Sequence, residues 1–195
     1  AYYARPSSGE DRFPGMVLVH GGGGTAFPEW ARLWAGRGYA ALAMDLGGCG
    51  PGRKRLADGM PAQGHQEKFR PFQTADEAKR LWTYHAVAAV IRAGMILSRL
   101  PGVEAGRIGL TGISWGGYLT CIVTGLDNRF KAAVTQRSVV DLKSFFGSSD
   151  IGWSLSREFD GTPWKNKDNF EKCSPITYYQ NIKTPVLIIH SENDL

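Results

Sequence analysis

Long hydrophobic runs are missing from this 195-residue chain. None approaches the roughly 20 apolar residues that a membrane-spanning helix needs, so no membrane segment is expected. Cysteine is scarce. Cys49, Cys121 and Cys173 are odd in number and far apart, which excludes a disulfide framework and shows no metal-ligand spacing. They read as free thiols in a reducing, cytoplasmic setting, or simply as small buried apolar residues. Charge of one sign is not concentrated either. The net charge is +5, and Arg53-Lys54-Arg55 is the one tight basic cluster. A nucleic-acid face would want a longer basic stripe with stacking aromatics, so nucleic acid is not an expected partner. Nothing implies a metal or an organic cofactor. No basic–apolar–small leader opens the chain, which begins at Ala1 rather than Met and reads as a processed or excised piece. The length suits one domain, residues 1–195, and is short for two.

What is present alternates between apolar runs and helical patterns. Ala1 to Gly15 is polar and punctuated by Pro6, Gly9 and Pro14, an edge segment and a loop. Met16-Val17-Leu18-Val19-His20 is continuous and apolar, as suits a strand buried on both faces of a parallel sheet. Four glycines follow, Gly21 to Gly24. Glu29 to Gly36 reads as a short helix stopped at Gly38, and Tyr39 to Asp45 as the next strand. That order is one βαβ unit. Leu46 to Lys79 has no clear period and is rich in Gly and Pro, the mark of a lid or binding loop. Leu81 to Leu100 is expected to be a helix. Its apolar face is Tyr84, Val87, Ile91 and Met95, its start is acidic at Asp76 and Glu77, and Pro101-Gly102 stops it. Lys131 to Gln136 and Pro185 to His190 read as two more strands. The stretch 139–183 between them shows no βαβ pattern and reads as an aromatic-rich insertion over the sheet edge. Phe145 to Trp164 within it is either a wall for an acyl or side-chain pocket or ordinary core under a long loop.

Arg107 to Tyr118 is a strand, then Gly112-Ile113-Ser114-Trp115-Gly116, then a helix start. This is the pattern of a nucleophile elbow in an α/β-hydrolase. A serine at a strained strand-to-helix turn has its hydroxyl pushed out over the sheet. The following helix aims its N-terminal N–H groups at developing negative charge. By itself the motif is weak, since chance supplies about 0.2 such matches in so glycine-rich a chain. Its context strengthens it. His20-Gly21-Gly22-Gly23-Gly24 follows a buried strand, where this fold takes its second oxyanion donor; the first is the N–H after the nucleophile, here Trp115. His20 itself is expected to hold that loop by hydrogen bonds.

The acid should follow the serine in a loop at a strand's C-terminal end. Asp194 fits, Asp141 is the runner-up, and Asp45, which precedes the elbow, reads as structural. The base is not found where the fold puts it. The order is serine, acid, histidine, and none of the four histidines (His20, His65, His85, His190) follows Asp194. His85 is expected to sit in a helix and His190 to pack at a strand end, with His65 in the long loop. Either the chain stops before its last strand and helix, or the base has been lost.

From Arg107 onward the residues resemble the prolyl oligopeptidase family of serine peptidases, in its acylaminoacyl-peptidase and dipeptidyl-peptidase branch. The matching stretches are Gly112 to Thr120, Asp127 to Val139, Gly161-Thr162-Pro163-Trp164, Ser174-Pro175-Ile176 and Lys183 to Asp194. The resemblance implies Ser114 as nucleophile, Asp194 as acid and a histidine further along; the substrate-gating β-propeller of those peptidases is not among these residues, and if it exists it lies upstream of Ala1. The N-terminal words His20 to Trp30 are instead similar to acetyl-xylan-esterase-like and dienelactone-hydrolase-like proteins. The peptidases more often have His-Gly-Gly-Pro there.

The expected fold is therefore an α/β-hydrolase with a mostly parallel sheet and helices on both faces. The expected activity is attack by Ser114 on a peptide or ester carbonyl. The oxyanion would be held by the N–H groups of Trp115 and the Gly21, Gly22, Gly23 loop, and Asp194 would orient the base. A carboxylesterase on acylated sugars or other small esters is the first alternative, and an inactive pseudo-hydrolase the second. A sheet ending at the Pro185–His190 strand leaves an uncovered edge, from which poor solubility or pairing with a second copy is expected.

Overall fold

The structure is a computed structural model that describes residues 1–8, 11–62 and 69–194. Among these residues six strands form one sheet. They are β1 (Tyr2–Ala4), β2 (Phe13–Val19), β3 (Ala40–Met44), β4 (Val103–Ile113), β5 (Ala132–Gln136) and β6 (Val186–Ile189). Their order is β1-β3-β2-β4-β5-β6. Only β1 runs antiparallel, along the edge of β3; the other neighbours are parallel. The helices are α1 (Pro28–Ala35), α2 (Ala75–Ala78), α3 (Trp82–Leu97), α4 (Trp115–Leu126), α5 (Leu142–Ser148), α6 (Leu155–Glu158) and α7 (Lys167–Cys173).

The apolar runs at β2 and β3 are buried on both faces, and their alternation sorts the two layers. Met16 and Leu18 of β2, with Ala41 and Ala43 of β3, pack with Ala31 of α1. Val17, Val19, Leu42 and Met44 point the other way, into the larger core with α3 and α4. This period of two is what a parallel strand covered by helices on both sides requires.

Helix α3 turns a different face inward than its bulkiest side chains suggest. Trp82, Ala86, Val90, Ala93, Gly94 and Leu97 are buried, whereas Tyr84 is 47% exposed. Val87 and Ile91 only flank the core. The small residues decide this: a β-carbon on Gly94 would lie 2.9 Å from the Phe130 ring. Close approach to that ring fixes the helix phase more strongly than side-chain size does. Asp76 and Glu77 do not open α3. They belong to the separate α2, where the Thr74 hydroxyl accepts from the Glu77 N–H at 3.2 Å and the Glu77 carboxylate accepts from the Thr74 N–H. That reciprocal cap satisfies two orphan donors.

The stretch 46–79 is less irregular than its composition suggests. It contains a short 3-10 turn at Pro51–Arg53 as well as α2. The Arg55 guanidinium staples it, donating to the carbonyls of Gly47 and Met60 at 2.6 Å each. His65 lies outside the described residues. The stretch 139–183 folds into α5, α6, α7 and two 3-10 turns, the second of which, Pro175–Asn181, packs on α4. Strand β6 lies at the sheet's far side. Leu187, Ile188 and Ile189 there are 59%, 66% and 47% exposed. Among the described residues no helix is long and apolar enough to cross a membrane.

Candidate active site

In a parallel sheet, functional loops gather at the carboxyl ends of the strands, where successive connections leave in opposite directions. Here that point lies between β2 and β4. The chain steps from β2 outward to β3, then crosses back to β4 on the other side of β2. The register pairs Val19 with Gly112, Ile113 with Gln136, and Gln136 with Ile189. The residues that follow these strand ends, His20, Ser114 and His190, therefore lie along one edge.

Ser114 sits at φ 57° and ψ −122°, directly before the first turn of α4. A left-handed backbone is uncommon for a residue with a side chain, and it turns this one outward. Two hydrogen bonds hold the turn: Ser114 N–H donates to the Gln136 carbonyl, and Tyr118 N–H to the Ser114 carbonyl, each at 2.9 Å. The motif glycines are there for space. A β-carbon on Gly116 would lie 2.2 Å from the Val19 carbonyl oxygen, and one on Gly112 would lie 2.2 Å from that of Gly116. The elbow thus closes only because backbone meets backbone. Ser114 is exposed, and among the described residues its hydroxyl has no hydrogen-bond partner. The helix behind it, α4, is buried from Gly116 to Gly125, so its N-terminal dipole acts at the serine with little solvent screening from behind.

The glycine loop runs beside the serine. A β-carbon on Gly21 would lie 3.1 Å from Ser114 Cβ and 3.7 Å from its Oγ. His20 is buried and anchors this loop. Its Nδ1–H donates to the Gly21 carbonyl at 2.8 Å, and its Nε2 accepts from Leu46 N–H at 2.9 Å. That assignment makes the ring neutral, and burial lowers its pKa below the ordinary value. Both nitrogens are engaged, so His20 supports the loop, as the sequence suggested.

Asp194 lies in the turn after β6. Its carboxylate stands 3.8 Å from Arg137 Nε, and both side chains are well exposed. Arg137 follows β5 and is left-handed at φ 47°; nothing in the sequence signals it. An open cleft of about 470 Å³ reaches from here toward α5, lined among others by Arg137, Val139, Phe145, Ile176, His190 and Asp194. Of the aromatic insertion, only Phe145 lines this cleft. Phe159 is fully buried and stacked between Phe69 and Phe170, while Trp153 and Trp164 are exposed away from it. Stacking against core rings is a strong pull on a phenylalanine, so Phe159 serves the core. Phe69 also packs at 5.5 Å on Trp115, tying the end of the long loop to the residue after Ser114.

The rival acids are occupied. Asp141 caps α5, accepting from Lys143 N–H at 3.0 Å and from the Ser144 hydroxyl at 2.9 Å. Asp45 accepts from Gly47 and Cys49 N–H at 2.8 Å each. Neither of the other described histidines faces the serine. His85 donates from Nε2 to the Lys79 carbonyl at 2.6 Å, and His190 to the Asp194 main-chain carbonyl at 3.4 Å. Ser114 and Asp194 follow β4 and β6, strands whose axes stand about 10 Å apart across β5. Among the described residues no cluster of His, Cys, Asp or Glu could hold a metal.

A family model described as the prolyl oligopeptidase family matches residues 26–195. The chain belongs to the prolyl oligopeptidase family. It is 33% identical over 197 residues to an uncharacterized peptidase, YuxL, of Bacillus subtilis, covering 95% of this chain and 26% of that protein. It is 25% identical to dipeptidyl-peptidase 5 of Schizosaccharomyces pombe, covering all of this chain and 27% of that one. The chain thus spans about a quarter of the length of these curated relatives. Among solved structures it is similar to Pyrococcus horikoshii acylaminoacyl peptidase, with TM-score 0.70, 24% identity, and coverage of 96% of this chain and 29% of that chain. It is also similar to the acetyl xylan esterase from Paenibacillus sp. R4, with TM-score 0.67, 20% identity, and coverage of 98% and 72%. Both likenesses show the α/β-hydrolase fold. The family match begins at Ala26, past the glycine loop at Gly21–Gly24.

Proposed function

We propose that the chain is the catalytic core of a serine hydrolase that cleaves peptide or ester bonds through an acyl-enzyme on Ser114. The observation that carries this is the left-handed, outward-facing serine at the head of a buried helix, with a glycine loop packed against it. Ser114 Oγ adds to the substrate carbonyl carbon while a base removes its proton. The carbonyl oxygen takes the negative charge, facing the N–H groups of Trp115 and of the Gly21–Gly23 loop. Collapse expels the amine or alcohol, which receives that proton, and water then hydrolyses the acyl ester on Ser114 by the same steps. Asp194 orients the base. The cleft lined by Val139, Phe145 and Ile176 takes an apolar acyl or side-chain group. The three cysteines are unpaired, which favours a reducing compartment such as the cytoplasm.

A fluorophosphonate probe tests the nucleophile. Ser114 is expected to carry the label and Ser114→Ala to lose it; equal labelling of both overturns the reading. The base is found by the same assay. Labelling that falls in His65→Ala places it within the chain. Labelling that survives that change and rises when the chain is continued past Leu195 places it in the serine, acid, histidine order of the fold. Continued silence of every form would favour a pseudo-hydrolase.

The esterase reading is supported by one specific feature, the four-glycine loop at Gly21–Gly24, whose sequence resembles acetyl-xylan-esterase-like proteins more than the His-Gly-Gly-Pro of the peptidases. A panel of p-nitrophenyl esters against aminoacyl p-nitroanilides separates the two. Amide turnover near ester turnover supports the peptidase; ester turnover alone supports the esterase.

A further inference from the structure

We infer that Arg53 is a positioning residue for the oxyanion loop. It rests on the reading of Ser114 as nucleophile, and it concerns how the glycine loop comes to present donors rather than acceptors. A run of glycines has no preferred backbone conformation, so something outside it must choose one. Each peptide unit holds its C=O and the following N–H in opposite directions. A loop that turns its carbonyls toward a developing oxyanion repels it; a loop that turns them away presents N–H groups.

Here two of the loop's carbonyls, those of Gly21 and Gly23, are engaged by donors. The Gly21 carbonyl accepts from His20 Nδ1–H at 2.8 Å and from Gly24 N–H at 3.2 Å. The N–H of Gly22 therefore points to the opposite side, and among the described residues it donates to no protein acceptor. The Gly23 carbonyl accepts from Arg53 Nη2. Thr25 is held too, its hydroxyl donating to Asp45 Oδ1 at 3.1 Å. All three outside grips, Leu46 N–H on His20, Arg53 on Gly23 and Asp45 on Thr25, come from the segment that follows β3. His20 is buried, and Asp45 also caps its own turn, so replacing either disturbs the fold. Arg53 is the exposed grip. It reaches the loop from a turn in which Gly52 and Arg53 are both left-handed, at φ 66° and 62°. Two successive left-handed residues, one with a long side chain, are an uncommon arrangement. It directs the guanidinium back across to a carbonyl 30 residues earlier in the chain.

The test compares Arg53→Ala and Arg53→Lys with the unaltered chain and with Ser114→Ala. Two readouts are used: the rate of fluorophosphonate labelling, with kcat and KM on a p-nitrophenyl ester, and amide hydrogen exchange. Arg53→Ala is expected to slow labelling and kcat by about tenfold, less than deletion of a donor itself would. KM should stay within about twofold, since no substrate contact is lost. Exchange should quicken across residues 21–25 and stay unchanged in β2 and β4. Arg53→Lys should recover most of both, because an ammonium can still donate to the Gly23 carbonyl. Unchanged exchange, unchanged labelling, or a raised KM at constant kcat each overturns the inference; the last would make Arg53 a substrate-binding charge. Should Ser114→Ala label as fast as the unaltered chain, the nucleophile reading fails by itself. The exchange readout still decides whether Arg53 orders the loop.

Discussion

Ser114 and Asp194, the proposed nucleophile and acid, follow two parallel strands of one sheet, yet the two ends of the proposed site are built differently. The serine end lies at the sheet's centre. Strand β4 has β2 on one side and β5 on the other, and its Ile108 and Leu110 are almost fully buried. Three pieces of backbone meet at Gly112, Gly116 and Val19 with no room for a β-carbon. The acid end lies at the margin. Strand β6 exposes apolar side chains on both faces, and Asp194 hangs from its loop on one long contact to Arg137. Central position gives the serine a geometry that nothing local can relax. Marginal position leaves the aspartate to whatever packs around it.

That contrast can be broken at either end. The largest expected effect is at the margin: in the form that carries its base, Asp194→Asn should cut ester hydrolysis by about 10⁴-fold, as loss of the orienting acid does in such triads. Its denaturant midpoint should not move, because the side chain is exposed. A fall in both would mean that the aspartate is structural. At the centre the balance is reversed. Gly116→Ala forces a β-carbon into main-chain carbonyls and should cost about 3 kcal/mol of stability by urea unfolding, with activity lost only as folding is lost.

His20 sharpens the comparison through pH. Burial holds its pKa below the ordinary histidine value. The folded state thus resists protonation that the unfolded chain accepts. The stability this neutral ring contributes is fully present above about pH 6.5 and is lost as pH falls below it toward the depressed folded value. Urea midpoints at about pH 7.5 and about pH 5.5 should fall further for the unaltered chain than for His20→Gln. Equal slopes would show that His20 titrates normally. The smallest effect belongs to the edge strand. Ile188→Lys should change stability by no more than about 0.5 kcal/mol, while lowering self-association measured by sedimentation, since a charge blunts an exposed strand edge.

Much of this was legible in residue patterns because the relevant physics is local. Runs such as Val17-Leu18-Val19 and Ala40-Ala41-Leu42 suit strands between two helical layers, and Gly-Ile-Ser-Trp-Gly, set between a strand pattern and a helix pattern, suits a strand-to-helix elbow. Helix α3 was legible as a helix but not in its phase, because Gly94 against the Phe130 ring, a contact between distant segments, outranks the bulk of Tyr84 and Met95. The aromatic insertion stayed open between pocket wall and core for a similar reason. Whether Phe159 lines a pocket or stacks on Phe170 depends on where a different part of the chain arrives. Arg137 and Arg53 carried no signal at all, since a left-handed backbone at arginine follows no local preference.

The sequence by itself determined that a serine would sit at a strained turn over a parallel sheet, beside a run of glycines, because steric exclusion within a few residues leaves little else for those words to do. Only the tertiary structure decided which groups hold the glycine run, which face of α3 is buried, and that the serine end is central while the acid end is marginal. Those outcomes depend on sheet order and on contacts between segments far apart in the chain. No short stretch of residues encodes them.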